Sequence, residues 1–123
     1  MDYYTHSLCR FLWFTPGVAE MREKKNAYWL VDAIASYMHP SGPVQMSRDG
    51  MFKDLHFWKL HPDGQGGAVL TAAVDSGVPP ELTQKIEYTD FEFDEQEPYV
   101  LFCARQYDKD GNDIWVLYLP EEH

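Results

Sequence analysis

The sequence predicts an α+β fold, with N-terminal helices packed on one face of a mainly antiparallel sheet of about four to six strands. An apolar stripe with helical spacing lies in the first third of the chain, and from residue 54 onward apolar residues follow strand-like patterns. Short turn-forming sequences join these later segments. With 123 residues, the chain is expected to form a single domain over residues 1–123.

The first helix is expected directly after an aromatic N-terminal segment. Residues 3–14 are rich in aromatic and apolar side chains and are expected to include a strand. Thr15 followed by Pro16 is typical of an N-cap and a first helical position. A short helix is therefore expected from this point to Arg22 or Lys24.

The clearest helix is predicted at 26–38. Its apolar residues recur at positions 27, 30, 31, 34, 35 and 38, which is the spacing of a buried helical stripe. Asn26 is the expected cap of this helix, because a short polar side chain can accept from the free amides of the first turn. The stripe makes this helix the expected anchor of the core.

Strands are expected in the rest of the chain, at 55–60, 68–74, 82–88, 99–106 and 114–119. Turn-forming residues at 61–67 and 108–113 predict two hairpins, one between the first two of these strands and one between the last two. The strand at 82–88 alternates apolar and polar residues, as in a half-buried strand with one solvated face.

The negative charge of the chain is concentrated in its second half. The formal net charge is −10. Residues 1–60 carry seven basic and six acidic side chains, a net of +1, whereas residues 61–123 carry three basic and fourteen acidic ones, a net of −11. Such a surface repels nucleic acid and anionic membranes and favours basic partners. Direct binding to nucleic acid or to membrane is therefore not expected.

The expected location is the cytoplasm. No apolar run approaches the roughly 20 residues of a membrane span, and the N-terminus lacks the features of a signal peptide. The two cysteines, Cys9 and Cys103, lie in apolar, strand-like surroundings. Buried free thiols are favoured over a disulfide in that compartment.

No motif for catalysis or metal binding is found, so the chain is not expected to be an enzyme, and no catalytic residue, metal or cofactor is predicted. There is no nucleophile elbow and no phosphate loop. A calcium loop that began at Asp108 would need glycine at its sixth position and glutamate at its twelfth, and these positions hold Asp113 and Leu119, so a solvated hairpin turn is favoured. The histidines have no metal-ligand spacing; they are His6, His39, His56, His61 and His123.

The segment 87–97, EYTDFEFDEQE, differs from an ordinary surface because six carboxylates alternate with three aromatic rings. One interpretation is a solvated loop whose aromatic residues fill the core. The second is a recognition surface that imitates a phosphate track and attracts a basic groove, and the third is a site for a divalent cation. The predicted partner-binding residues are Glu87, Tyr88, Asp90, Phe91, Glu92, Phe93, Asp94, Glu95 and Glu97.

An alternative function is a small-molecule-binding or enzymatic domain with a pocket between helix 26–38 and the sheet. The candidate lining residues are Asp32, Ser36, Tyr37, His56 and Trp58. The aromatic content also allows a homo-oligomer.

Four sequence blocks resemble recurring blocks of a bacterial family: YWLVDAIASY at 28–37, FWKL at 57–60, VLT at 69–71 and QKIEYTDF at 84–91. The family consists of small proteins of unknown function that are frequent on plasmids and in phage-related DNA. The resemblance covers about residues 14–95, whereas 99–119 departs from it as an added or lengthened hairpin. It implies a mobile-element setting and no catalytic residues. With the acidic segment, it leads to the hypothesis of a non-enzymatic protein-binding module that inhibits a host defence or nucleic-acid-handling complex.

Overall fold

The computed structural model describes residues 3–7, 9–38, 55–74 and 78–122. Two short strands precede two helices, and five longer strands and a 3₁₀ turn follow. The elements are β1 Tyr4–Thr5, β2 Leu12–Phe14, α1 Pro16–Lys24, α2 Tyr28–Met38, β3 Leu55–Pro62, β4 Ala68–Ala73, β5 Leu82–Ile86, β6 Tyr99–Tyr107, β7 Asp113–Tyr118 and the 3₁₀ turn Pro120–Glu122.

Within these ranges the strands form one seven-stranded mixed sheet in the order β1-β2-β7-β6-β3-β4-β5. The α+β class and both hairpins, β3–β4 and β6–β7, are confirmed. The expectation of four to six strands was wrong, because the N-terminal segment supplies two strands. β1 pairs with β2, and β2 lies parallel to β7, with Leu12 beside Trp115. This pairing joins residues about 100 positions apart, and no local sequence pattern encodes it.

The predicted start of α1 is confirmed. Thr15 has an extended backbone, and its Oγ1 accepts from the amide of Val18 at 3.3 Å, while Pro16 occupies the first turn. The Thr15 hydroxyl also donates to the carboxylate of Glu122 at 2.7 Å. The 3₁₀ turn is therefore fixed to the N-terminus of α1.

Asn26 has a different role from the one expected. It does not cap α2, which begins at Tyr28. Its backbone is left-handed, with φ of 51°, and its amide donates to the carbonyl oxygen of Glu23, while the amide of Ala27 donates to that of Arg22 at 2.8 Å. This is the Schellman arrangement, in which a left-handed residue satisfies the last carbonyls of a helix. Asn26 therefore ends α1.

The core lies on one face of the sheet, here called the inner face. All six residues of the apolar stripe in 26–38 are buried, as expected, and they belong to the same cluster as the inner residues of the central strands. Tyr37 of α2 contacts the ring of Trp58, with centroids 5.7 Å apart, and its hydroxyl donates to Gln84 of β5 at 2.7 Å. Cys9 and Cys103 are buried free thiols, as expected. No helix within the described ranges is long and apolar enough to cross a membrane.

Candidate protein-binding surface

The acidic segment, residues 87–97, connects β5 to β6 and lies against the turn 63–67 between β3 and β4. The amide of Thr89 donates to the carbonyl oxygen of Gly66 at 2.9 Å, which attaches the segment to that turn. The Thr89 side chain in turn accepts from the amide of Phe91 at 3.1 Å. Farther along, the amide of Glu97 donates to the carbonyl oxygen of Asp94. The backbone of the acidic segment is thus attached to the turn at Thr89 and held by local hydrogen bonds at Phe91 and Glu97.

The glycines of the turn make this attachment sterically possible. Asp63 Oδ1 accepts from the amides of Gln65 and Gly67, at 2.7 and 3.0 Å, which closes the turn. At Gly67 a Cβ atom would lie 2.5 Å from the carbonyl oxygen of Ile86 and 2.7 Å from that of Glu87. Only glycine allows this approach without movement of the neighbouring backbone. The glycine run is a hairpin connection, as expected.

Lys25, at the end of α1, holds the middle of the acidic segment. Its Nζ donates to the carbonyl oxygen of Glu92 at 3.0 Å and lies 5.1 Å from the ring centroid of Phe91 and 5.7 Å from that of Tyr99. These contacts combine a charge-assisted hydrogen bond with two cation–π interactions. Lys25 was not among the predicted site residues, because no local pattern indicates that the end of α1 reaches residues 91–92.

The structure separates the predicted partner-binding residues into two groups. Phe91 is only 5% exposed and packs against Phe93 and Tyr99, with ring centroids 5.0 and 5.1 Å away. It is a core residue, as the solvated-loop interpretation had it, and Phe93 is half-buried beside it. Tyr88 is 77% exposed. The six carboxylates are also exposed; they belong to Glu87, Asp90, Glu92, Asp94, Glu95 and Glu97.

The 3₁₀ turn adds negative charge to the same region. Burial, together with the charges of Glu121, Asp94 and Glu122, raises the pKa of Tyr99 to about 12. These three carboxylates therefore act on one phenol. Glu121 and Glu122 were not among the predicted site residues, because their proximity to the acidic segment depends on tertiary structure.

A cleft of about 390 Å³ lies between the turn 63–67 and the acidic segment. Apolar atoms of Pro62, Phe91 and Phe93 line it, together with the polar side chains of Thr89 and Gln96 and three glycines of the turn. Its lining is uncharged, although carboxylates surround it. Such a lining suits an apolar group.

The second acidic loop, 108–112, lies at the other end of β6. Since β6 has nine residues, the two acidic regions are roughly 25–30 Å apart. Asp108 closes this loop by accepting from the amides of Asp110 and Asn112, both at 2.9 Å, and hydrogen bonding with Asn112 is the largest effect that lowers the pKa of Asp108. The loop is a hairpin turn, and it does not extend the acidic segment.

Within the described part of the chain, three of the candidate pocket residues beside α2 pack against one another. Trp58 and His56 are buried, and the Trp58 indole donates to His56 Nε2 at 2.8 Å. Burial lowers the pKa of His56 to about 3, so this imidazole is neutral. Tyr37 packs over Trp58. These three side chains therefore fill the interior at this position.

The other two pocket candidates are exposed on α2. Asp32 lies 2.7 Å from Nε2 of the buried His6, and Ser36 donates to the carbonyl oxygen of Ala33 in its own helix. Two of the histidines named above, His39 and His123, lie outside the described residues. Within the described ranges no three His, Cys, Asp or Glu side chains form a group that could hold a metal ion.

The fold and this surface define a small acidic α+β protein with a fixed, carboxylate-bearing segment at one end of its sheet. The chain belongs to the family of unknown function DUF6876, which it matches over residues 1–123. The match includes 99–119, so the expectation that this part departs from the family was wrong. No curated protein and no solved structure matches the chain.

Proposed function

We propose that this protein is a non-enzymatic protein-binding module that docks its acidic segment onto a basic surface of a partner. The observation that carries the proposal is the combination of six exposed carboxylates with a backbone that hydrogen bonds fix to the turn 63–67 and to Lys25. A solubilising loop has no need of such anchoring. A binding segment benefits from it, because less conformational entropy is lost on association.

Charge and shape have separate roles in recognition at this surface. The carboxylates of the acidic segment, with Glu121 and Glu122 beside it, attract a basic surface and orient it. The uncharged cleft and the exposed ring of Tyr88 then supply contacts that exclude water. A lysine or arginine side chain of the partner suits both parts, since its aliphatic stem is apolar and its end is charged.

The narrower proposal is that the partner is a host defence or nucleic-acid-handling complex, and that the protein inhibits it in the cytoplasm. Grooves that bind nucleic acid are basic, so an acidic protein can occupy them in place of the phosphate backbone. The resemblance to small proteins of plasmids and phage-related DNA supports this setting. The partner would be recognised by its positive groove, with no direct contact of this protein to nucleic acid.

The test uses two charge-matched double variants in affinity capture from bacterial lysate. Glu92→Lys with Asp94→Lys reverses two charges in the acidic segment. Glu81→Lys with Asp110→Lys reverses one glutamate and one aspartate, both exposed, at the opposite end of the sheet. We expect the wild type and the second variant to retain a basic partner, and the first variant to bind it at least tenfold more weakly.

Two results would overturn the proposal. One is equal binding of both double variants to the captured partner, which would mean that the charges of the acidic segment are no more important for binding than charges elsewhere on the surface. The other is a partner whose affinity does not change between low and high salt, because exposed charge pairs are screened by salt. A Lys25→Met variant adds a check on anchoring: it keeps every carboxylate, removes the donor to Glu92, and is expected to bind several-fold more weakly.

A further inference from the structure

A recess in the surface, here called the Arg10 pocket, lies at the end of β6 away from the acidic segment. It has a volume of about 330 Å³, within the range of about 300–1,000 Å³ that is typical of small-molecule sites. The segment that leads into β2 forms one side, and the hairpin loop before β7 forms the other. The lining residues are Arg10, Phe11, Trp13, Asp108, Asn112 and Ile114.

Backbone hydrogen bonds hold the two sides of this pocket in place. The amide of Trp115 in β7 donates to the carbonyl oxygen of Phe11 at 2.8 Å, which extends the parallel pairing of β2 with β7. On the loop side, the amide of Asp108 donates to the carbonyl oxygen of Asn112 at 2.9 Å. The pocket is therefore formed in the free protein, so that little conformational entropy is lost when a ligand binds.

The wall of the pocket is apolar and aromatic. Phe11 and Trp13 are half-buried, and Ile114 is buried. The indole N–H of Trp13 donates to the carbonyl oxygen of Arg10 at 3.1 Å, and the indole ring makes an edge contact with Tyr3, with centroids 6.3 Å apart. Because its polar atom is bonded within the chain, the Trp13 ring offers an apolar surface to a ligand.

Arg10 supplies a guanidinium group that no carboxylate of the described residues neutralises. The chain has twice as many acidic as basic residues, 20 against 10, yet the Arg10 side chain lies against the ring of Phe11, whose centroid is 5.4 Å from Cζ. The ion pairs within the described ranges do not include Arg10. A guanidinium presents a planar fork of donors that matches a carboxylate. Arg10 therefore offers the pocket a binding group for a carboxylate.

Asp108 supplies the opposite charge from the other side of the pocket. Its Oδ1 accepts from the amides of Asp110 and Asn112, and its Oδ2 accepts from the side-chain amide of Asn112 at 3.3 Å. Hydrogen bonding with the backbone of Asn112 is the main cause that lowers the pKa of Asp108, so this carboxylate is charged at neutral pH. A carboxylate has about four acceptor sites. One site on Oδ2 is therefore open to an ammonium group.

We infer that the Arg10 pocket binds a free α-amino acid with an aromatic or large apolar side chain. Arg10 binds the carboxylate of this ligand, Asp108 binds its ammonium group, and the apolar wall contacts its side chain.

Charge distinguishes this ligand from simpler molecules with the same apolar part. A free amino acid is a zwitterion, so the net charge of −10 on the protein does not repel it. A simple carboxylate would be repelled and would leave Asp108 without a partner, and a simple amine would lie beside the like charge of Arg10. The inference does not rest on the acidic segment, which lies at the other end of β6.

Three phenyl compounds of nearly equal size test the inference. They are L-phenylalanine, 3-phenylpropionate, which lacks the ammonium group, and 2-phenylethylamine, which lacks the carboxylate. Each is titrated into the full-length ¹⁵N-labelled protein and followed by NMR. We expect phenylalanine to bind with a dissociation constant of about 1 mM or lower, and to shift the indole N–H of Trp13 and the amide of Asn112. The other two compounds should bind roughly tenfold more weakly or worse, because each leaves one charged group without a partner.

Two variants that each remove one cation separate the pocket from the general charge of the protein. Arg10→Met should weaken phenylalanine roughly tenfold or more, and should not weaken 2-phenylethylamine, which has no carboxylate. Lys109→Met is the matched control. It removes an exposed cation from the same loop, outside the pocket lining, and should leave the affinity for phenylalanine unchanged. Because Asp108 closes its own loop, its role is tested through 3-phenylpropionate and not by substitution.

Several results would overturn the inference. One is the absence of a shift at the Trp13 indole with phenylalanine at about 10 mM. Another is binding of 3-phenylpropionate or 2-phenylethylamine as tight as that of phenylalanine, and a third is equal weakening of phenylalanine by Arg10→Met and Lys109→Met. Shifts confined to the acidic segment would also overturn it. None of these results bears on the capture experiments, which test the acidic segment separately.

Discussion

Gly67 is the position where a single methyl group has the largest effect on how the acidic segment is held. In Gly67→Ala the new Cβ would lie 2.5 and 2.7 Å from two backbone carbonyl oxygens, those of Ile86 and Glu87. Backbone atoms of a paired strand cannot rotate away as a side chain can. Overpacking of this kind lowers the free energy of unfolding by about 1–3 kcal/mol. About 0.4–1 kcal/mol of this loss is offset, because alanine makes the unfolded chain less flexible than glycine does.

We therefore expect Gly67→Ala to lower the free energy of unfolding by about 1–2 kcal/mol. With a urea m-value of about 1–3 kcal/mol/M, the unfolding midpoint falls by roughly 1 M. Since the carbonyl of Glu87 must move, the amide of Thr89 should also lose its hydrogen bond to Gly66 and exchange faster with solvent. Both quantities are measured on the same protein, by urea titration and by hydrogen exchange.

Gly64→Ala is the matched control in the same turn. A Cβ at this position would meet no atom within 4 Å, although its backbone has φ of +78°. The left-handed backbone costs a non-glycine residue about 1 kcal/mol. Part of this cost is offset because alanine also makes the unfolded chain less flexible than glycine does. If Gly67→Ala proved no more destabilising than Gly64→Ala, or left the exchange of Thr89 unchanged, the steric argument would be refuted.

Three further outcomes are expected. Because burial lowers the pKa of His56 from 6.5 to about 3, the unfolded state binds the proton more tightly between these values, and stability is lost as pH falls through this window. Urea unfolding should show a loss of about 2 kcal/mol from this group between pH 6.5 and 5, and a smaller loss in His56→Gln. Thr15→Val removes the cap of α1 and should cost about 0.5–2 kcal/mol by the same assay, whereas Thr83→Val, on an exposed strand position, should cost little. Cys9 and Cys103 should react with a thiol reagent only in denaturant, since both are buried and burial raises the pKa of the Cys103 thiol; fast reaction of the native protein would contradict this.

Local patterns were sufficient to predict the elements whose formation depends on near neighbours. The apolar stripe of 26–38 identified α2, and Thr15-Pro16 identified the start of α1. The alternation in 82–88 identified β5, whose residues Leu82, Gln84 and Ile86 are half-buried while Thr83 and Lys85 are exposed. In each case the side chains that determine the element are only a few residues apart in the sequence.

Features that depend on distant residues were not predictable in this way. Asn26 was expected to start a helix. Instead, its amide donates to a carbonyl oxygen at the end of the preceding helix, and its backbone is left-handed. Phe91 and its acidic neighbours alternate as they would in an exposed loop. One interpretation of the sequence placed the ring of Phe91 in the core, but its contacts with Lys25 and Tyr99 depend on tertiary structure, and no local pattern indicated them. The exposed carboxylates were predictable from sequence, whereas the anchoring that supports a binding role was not.

The parallel pairing of β2 with β7 has a consequence for the order of folding. Leu12 is synthesised about 100 residues before its partner Trp115, so the β1–β2 pair has no connection to the rest of the sheet until β7 is available. The hairpin β3–β4 and its extension by β5 can form first, because their contacts are close in sequence. During that interval Leu12 and Phe14 have no sheet to pack on, and the nascent chain depends on late closure to bury them.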